Sequence, residues 1–177
     1  GAGAVMLGTP EAVYPILARR LSEAIVKPLP STNEGTVELR DLEEIEPHLN
    51  WADVVEIGSG ISATSETQKI LETILQTYSG KVVLDADGLR AVREIGLTKF
   101  SRLKSRFILT PHAGEFSKLI NVPAKDIETK RIEMAKRGAD RCRATIVLKG
   151  GPTAIGVSDG IVYLNSTGNP GMATVGS

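Results

Sequence analysis

Apolar residues gather along this chain in short runs, and most runs are followed by a longer stretch in which apolar positions recur every third or fourth residue. The first pattern marks a strand buried in a sheet, the second an amphipathic helix. Residues 4–7, 24–27, 53–57, 81–84, 107–109 and 145–148 are the predicted strands. Thr9-Pro10-Glu11 offers an N-cap, a proline at the first helical position and an acidic first turn, so a helix is predicted there, with Pro15 marking a kink or a later start. Prolines 28 and 30 are predicted to close the second strand. Leu39, Leu42, Ile45 and Leu49 predict a helix whose length Pro47 limits; Ile70, Leu71, Ile74, Leu75 and Tyr78 form one face of the next. A further helix spans 89–103, and another begins at Asp126 with the stripe Ile132, Ala135, Ala139 and Cys142. Residues 153–157 and 161–164 flank Ser158-Asp159-Gly160 and predict a late β-hairpin. Alternating strand and helix predict an α/β fold with a doubly wound, mostly parallel sheet flanked by helices.

Composition narrows the classes. A chain of 177 residues fits one domain, 1–177, able to bury about 70% of its unfolded surface. With 41% hydrophobic but only 4% aromatic residues, the core is aliphatic. Twenty-one basic and 21 acidic side chains cancel, leaving no electrostatic reason to expect nucleic acid or a membrane surface as partner. The interrupted basic run at 137–143 reads as a solvated helix face. No uninterrupted apolar run is long enough to span a bilayer, so a soluble protein is expected. The lone cysteine, Cys142, fits a reducing, cytoplasmic interior and reads as core filler rather than a nucleophile.

Ligands of parallel sheets gather beyond the carboxyl ends of the strands. Four such places carry suitable residues. Gly58-Ser59-Gly60 follows one strand, with Gly60 a candidate contact or a plain turn glycine. Asp85 and Asp87 follow the next, as metal or base candidates or as turn and cap residues. Thr110-Pro111 presents His112 on a loop, and Glu115 follows in the first turn of a helix starting near Ala113, where the dipole favours a carboxylate. Lys149-Gly150-Gly151-Pro152-Thr153 combines a point charge with backbone open to phosphate, or is an ordinary hairpin entry. The last stretch, 165–177, carries glycines at 168, 171 and 176 among small hydroxyl residues and suits an anion.

Taken in order, Val83-Leu84-Asp85-Ala86-Asp87-Gly88-Leu89, Leu109-Thr110-Pro111-His112-Ala113-Gly114-Glu115-Phe116, Val147-Leu148-Lys149-Gly150-Gly151-Pro152-Thr153 and Asn169-Pro170-Gly171-Met172-Ala173-Thr174 resemble the ADP- or ATP-dependent NAD(P)H-hydrate dehydratases, a branch of the ribokinase-like superfamily. The resemblance implies a ribokinase-like fold and a hydro-lyase of metabolite repair. Such an enzyme phosphorylates the hydroxyl of the S-epimer of hydrated NADH or NADPH and eliminates phosphate. It implies that Gly60, His112 and Asn169 meet the substrate, with Ala113 standing where a proline is common. Lys149, Gly150, Gly151, Pro152 and Thr153 would bind the adenine nucleotide, and Gly171, Thr174 and Gly176 would form the anion loop. Glu115 would order water around Mg2+, with Asp85 a further metal candidate. The general base, an aspartate, would fall just past Ser177, so the chain reads as cut at both ends and without a catalytic residue of its own. A homo-oligomer, possibly a tetramer, is also implied. Two alternatives stand beside this reading: a vitamin-precursor kinase of the same fold, and a noncatalytic nucleotide-binding module. His112 in place of the kinase asparagine, with Asn169-Pro170-Gly171-Met172, argues against the kinase.

Overall fold

The chain opens with β1 (Met6–Pro10), crosses through α1 (Tyr14–Arg20) and returns as β2 (Ile25–Leu29), parallel to β1 from Met6 opposite Ile25 to Pro10 opposite Leu29. Thr9 and Pro10 extend a strand here, where the sequence predicts a helix start. Pro15 sits in the first turn of α1, a position whose N–H has no helical partner in any case, so it marks a late start and not a kink. Pro28 lies within β2 rather than beyond it; in a two-stranded sheet one side of the strand is an edge that needs no donor. This computed structural model describes residues 1–32, 35–37, 39–62 and 64–168, with Arg40 described by its backbone alone. A single 3-10 turn at Leu39–Asp41 leads into α2 (Leu42–Trp51), which ends one turn after Pro47. Neither α1 nor α2 buries any residue completely.

The main sheet begins with β3 (Val54–Ile57). Then α3 (Ser65–Thr77), capped by the Thr64 hydroxyl on the Thr67 N–H, places Ile70, Leu71, Ile74 and Leu75 in the core, as the sequence stripe predicts. β4 (Lys81–Leu84) follows. The predicted helix over 89–103 is two helices, α4 (Asp87–Ile95) and α5 (Leu97–Phe100), separated by Gly96 with φ +83°, a conformation that a helix cannot contain. β5 (Arg106–Leu109) leads into α6 (Ala113–Ile120). The helix predicted from Asp126 is likewise divided, into α7 (Ala124–Thr129) and α8 (Arg131–Cys142), with the break at Lys130. Ile132 of the predicted stripe is 52% exposed, while Met134, Ala135, Ala139 and Cys142 are buried.

β6 (Thr145–Leu148) closes the parallel part, and β7 (Thr153–Gly156) and β8 (Val162–Asn165) form the predicted hairpin. The sheet order is β3-β4-β5-β6-β7-β8, parallel up to β6 and antiparallel beyond. Along β4, β5 and β6 every second residue is buried: Val82 and Leu84, Phe107 and Leu109, Ile146 and Leu148. Each such side chain contributes about 1.5–3 kcal/mol by leaving water. The continuous core runs from Leu71 to Ala154 and is mostly aliphatic, with Phe100 tilted onto Phe107. The opposite sheet face is more open, with Ile108 exposed. Cys142 is core filler, and burial pushes its thiol up to about 11 despite the Arg141 charge that lowers it. Among the described residues no helix is long and apolar enough to cross a membrane.

Candidate active site

The carboxyl ends of β3 and β4 meet backbone to backbone. Asp85 N–H donates to the Ile57 carbonyl, and a Cβ on Gly58, whose φ is +134°, would lie 1.8 Å from the Asp85 carbonyl oxygen. Gly88 faces the same join: its Cβ would come 2.5 Å from the Ile57 carbonyl. Two glycines therefore let the loop after β4 sit directly on the end of β3. Between Asp85 and Asp87, Ala86 takes φ +46°, a strained value for a residue with a side chain. Asp87 is the first residue of α4. Gly60, the contact proposed from sequence, is exposed with open space around its Cβ position, so Gly58 holds the architecture here. Its place immediately after the strand, one residue from Ser59, was the available signal.

Pairing between β5 and β6 continues beyond both strands. Lys149 N–H donates to the Pro111 carbonyl at 2.9 Å, and His112 and Lys149 form an isolated parallel bridge. His112 is the N-cap of α6: its Nδ1 accepts the Gly114 N–H at 3.0 Å, and Glu115 accepts the His112 N–H at 2.9 Å. An Nδ1 that accepts places the neutral ring's proton on Nε2, so the exposed edge of His112 is a donor. Glu115 also lies 3.5 Å from Nε2.

Lys149 Nζ reaches across to Asp85 at 2.8 Å. Burial pushes the Asp85 carboxyl up. The Lys149 hydrogen bond and charge, with the Thr110 hydroxyl and the Ala86 N–H, outweigh that and hold it below its ordinary value. Asp85, His112, Glu115 and Lys149 are thus brought to one end of the sheet by three successive parallel strands.

Beyond Lys149 the chain turns back through Gly150, Gly151 and Pro152, and the Lys149 and Gly150 carbonyls are engaged. Arg131, the first residue of α8, donates to the Lys149 carbonyl at 3.0 Å and at longer range, 3.5 Å, to Leu148. Thr153 Oγ1 donates to the Gly150 carbonyl at 3.0 Å. The N–H groups of Gly150 and Gly151 have no partner among the described residues, and both glycines are exposed. A turn whose first two carbonyls are tied and whose glycine amides are unspent suits an anion. Gly151 and Pro152 border an open groove of ≈ 690 Å³ that Glu128, Lys130 and Arg131 also line. Arg131 was read from sequence only as part of a helix. The sequence carried no signal for it, because the predicted helix starts at Asp126 and the helix start at Arg131 is seen only in the structure. Asn169, Gly171, Thr174 and Gly176 lie outside the described residues.

Residues 1–177 match, over their full length, the family described as NAD(P)H-hydrate dehydratase. The chain belongs to this family. A relative from Thermofilum pendens, the bifunctional NAD(P)H-hydrate repair enzyme Nnr, is 35% identical over 100% of this chain and 34% of its own length. The ADP/ATP-dependent NAD(P)H-hydrate dehydratase of Bacillus subtilis, crystallised with ATP and Mg2+, shares 31% identity at a TM-score of 0.75, over 99% of this chain and 58% of that one. A ribokinase-like superfamily protein of Enterococcus faecalis shares 28% identity at 0.77, over 99% and 57%. The chain thus spans about a third of the first curated relatives and under three fifths of these structures. The fold of this family member is ribokinase-like α/β, with the mostly parallel sheet and late antiparallel strands that the sequence predicts.

Magnesium is the metal the family implies. Among the described residues no group of three or more His, Cys, Asp or Glu could hold a metal ion. Asp85 is engaged by Lys149, and Glu115 by the His112 N–H. Mg2+ keeps several waters and takes one or two carboxylates beside substrate phosphates. These residues fit an ion carried by a nucleotide and reached through water by Asp85 or Glu115.

Proposed function

We propose that this chain takes part, as a single domain, in ADP- or ATP-dependent dehydration of the S-epimer of hydrated NADH or NADPH. The observation that carries the proposal is the backbone bridge setting His112 beside Lys149, with Asp85 on the Lys149 ammonium. Lys149, Gly150, Gly151, Pro152 and Thr153 take the nucleotide, the unspent amides and the ammonium facing phosphate oxygens. His112 offers Nε2–H to the hydrated nicotinamide, and Gly60 and Asn169 complete that subsite. Gly171, Thr174 and Gly176 cup the transferred phosphoryl group.

In the reaction, the substrate hydroxyl oxygen forms a bond to the terminal phosphorus while the bond to the departing nucleotide oxygen breaks. The hydroxyl proton passes to the aspartate that the family resemblance puts after Ser177. The carbon–oxygen bond then breaks, phosphate leaves with its electron pair, and the ring double bond of NAD(P)H returns on loss of a ring proton. Mg2+, when bound, offsets charge on the phosphates. Lys149 must serve two partners, Asp85 in the structure described and phosphate in the complex, and its four-carbon stem allows the exchange.

Family membership supports the dehydratase over a vitamin-precursor kinase. The test incubates the complete enzyme, the implied aspartate included, with hydrated NADH and ADP or ATP and follows the absorbance of recovered NADH. Recovery is the expected result. Phosphorylated substrate without NADH would indicate the kinase, and a melting shift with ADP but no turnover would indicate a nucleotide-binding module. We place the protein in the cytoplasm as a homo-oligomer, a tetramer by family resemblance, which sedimentation tests.

A further inference from the structure

We propose that Arg131 is the positioning residue of the 149–153 turn, holding its peptide planes so that amides rather than carbonyls face the nucleotide. The inference rests on the nucleotide reading of that turn. In a trans peptide the C=O and the following N–H point in opposite directions. Anchoring the Lys149 carbonyl therefore fixes where the Gly150 N–H points, and Arg131 is the anchor, at 3.0 Å. The next plane is treated the same way: Thr153 holds the Gly150 carbonyl, and the Gly151 N–H is turned outward. Should the first plane flip, a carbonyl oxygen would face phosphate, replacing attraction by repulsion.

A second observation points to the same role. Gly150 has φ +150°, and a Cβ there would lie 2.6 Å from both terminal guanidinium nitrogens and 2.7 Å from the carbon between them. The planar guanidinium thus covers the Gly150 backbone while donating to its neighbour, a combination an ammonium cannot supply. The first residue of α8 is also a poor place for a cation on helix grounds. Lys149 is then held at three points: its N–H by Pro111, its carbonyl by Arg131 and its ammonium by Asp85.

The experiment titrates ADP into the full chain and its Arg131→Ala and Arg131→Lys variants by calorimetry, with the unliganded melting temperature of each recorded. Arg131→Ala is expected to weaken ADP roughly tenfold, the loss of one well-placed group on a charged ligand. Arg131→Lys should recover only part of the loss. Added guanidinium ion, at millimolar concentration below its denaturing range, should restore affinity to Arg131→Ala but not raise that of the unaltered chain. In NMR spectra of the unaltered chain, the Gly150 and Gly151 amide signals should move on ADP addition, and in Arg131→Ala that response should shrink. If Arg131→Ala binds ADP within about twofold of the unaltered chain, or if guanidinium restores nothing, the positioning role is overturned. If the unaltered chain itself binds no ADP, the nucleotide reading of the turn fails first and takes the inference with it. A variant that does not fold leaves the decision to Arg131→Lys, whose affinity equal to the unaltered chain would overturn the proposal.

Discussion

Gly58 and Gly60 stand two residues apart and answer differently to one added methyl group. At Gly58 the methyl would meet the Asp85 backbone at 1.8 Å, and nothing short of moving a strand end relieves it. At Gly60 the space is open and only the left-handed backbone, φ +72°, resists. Gly58→Ala is expected to cost more than about 3 kcal/mol and Gly60→Ala about 1–2 kcal/mol, read from urea midpoints at constant slope. Equal costs would refute the close approach. Asp85 gives a pH dependence. Its folded pKa lies below the ordinary 3.8, so its contribution to stability is complete well above that value and is lost as pH falls through the folded value. Its side chain is 31% exposed and that of Lys149 43%, so screening keeps the contribution to at most about 1 kcal/mol. The melting-temperature gap between the native chain and Asp85→Asn should hold steady above about pH 5 and close below 3.8. A gap that widens in acid would contradict the assigned sign.

Among the elements, α6 shows what the sequence hid and what it offered. Glu115 reads from sequence as a carboxylate at the positive end of a helix or as a metal-water ligand. The structure gives it a specific local partner, the His112 N–H, in a reciprocal cap with His112. His-Ala-Gly-Glu has the spacing of a capping box, and that pattern was available. Glu115→Ala should cost about 1 kcal/mol, with Glu115→Gln retaining most of the stability; thermal melts of both variants decide it. The divided helices were harder to read. Apolar spacing runs on through Gly96, where only the glycine itself hints at a helix end, and no glycine, proline or capping residue marks Lys130. The strands from β3 onward were legible because buried aliphatic runs have few alternatives. β1 was shifted toward Pro10 because pairing with β2 outweighed a local helix signal.

For the molecule as a whole, burial is unevenly distributed. Every fully buried member of the continuous core lies from Leu71 to Ala154, whereas α1 and α2 bury no residue completely. Amides of β1, α1, β2 and α2 should therefore exchange with solvent well before those of β4, β5 and β6, by local opening rather than global unfolding. Uniform exchange measured by mass spectrometry would contradict this. The gathering of Asp85, His112 and Lys149 was legible in outline, since strand order alone brings successive loops together. Arg131 was not, because its partner is a backbone oxygen 18 residues away. The strand β7 has a ruler at each end. Four residues, 149–152, carry the chain from β6 to β7, and Thr153 closes that span onto Gly150. One glycine inserted after Gly151 would stretch the first ruler and slacken the whole reversal, lowering the melting temperature. The same insertion between Asp159 and Gly160 would strain the second ruler, where the Val157 N–H donates to the Ile161 carbonyl, the Gly160 N–H to the Val157 carbonyl and the Ile161 N–H to the Asp159 carboxylate. Added length is therefore expected to loosen the strand from whichever end it enters.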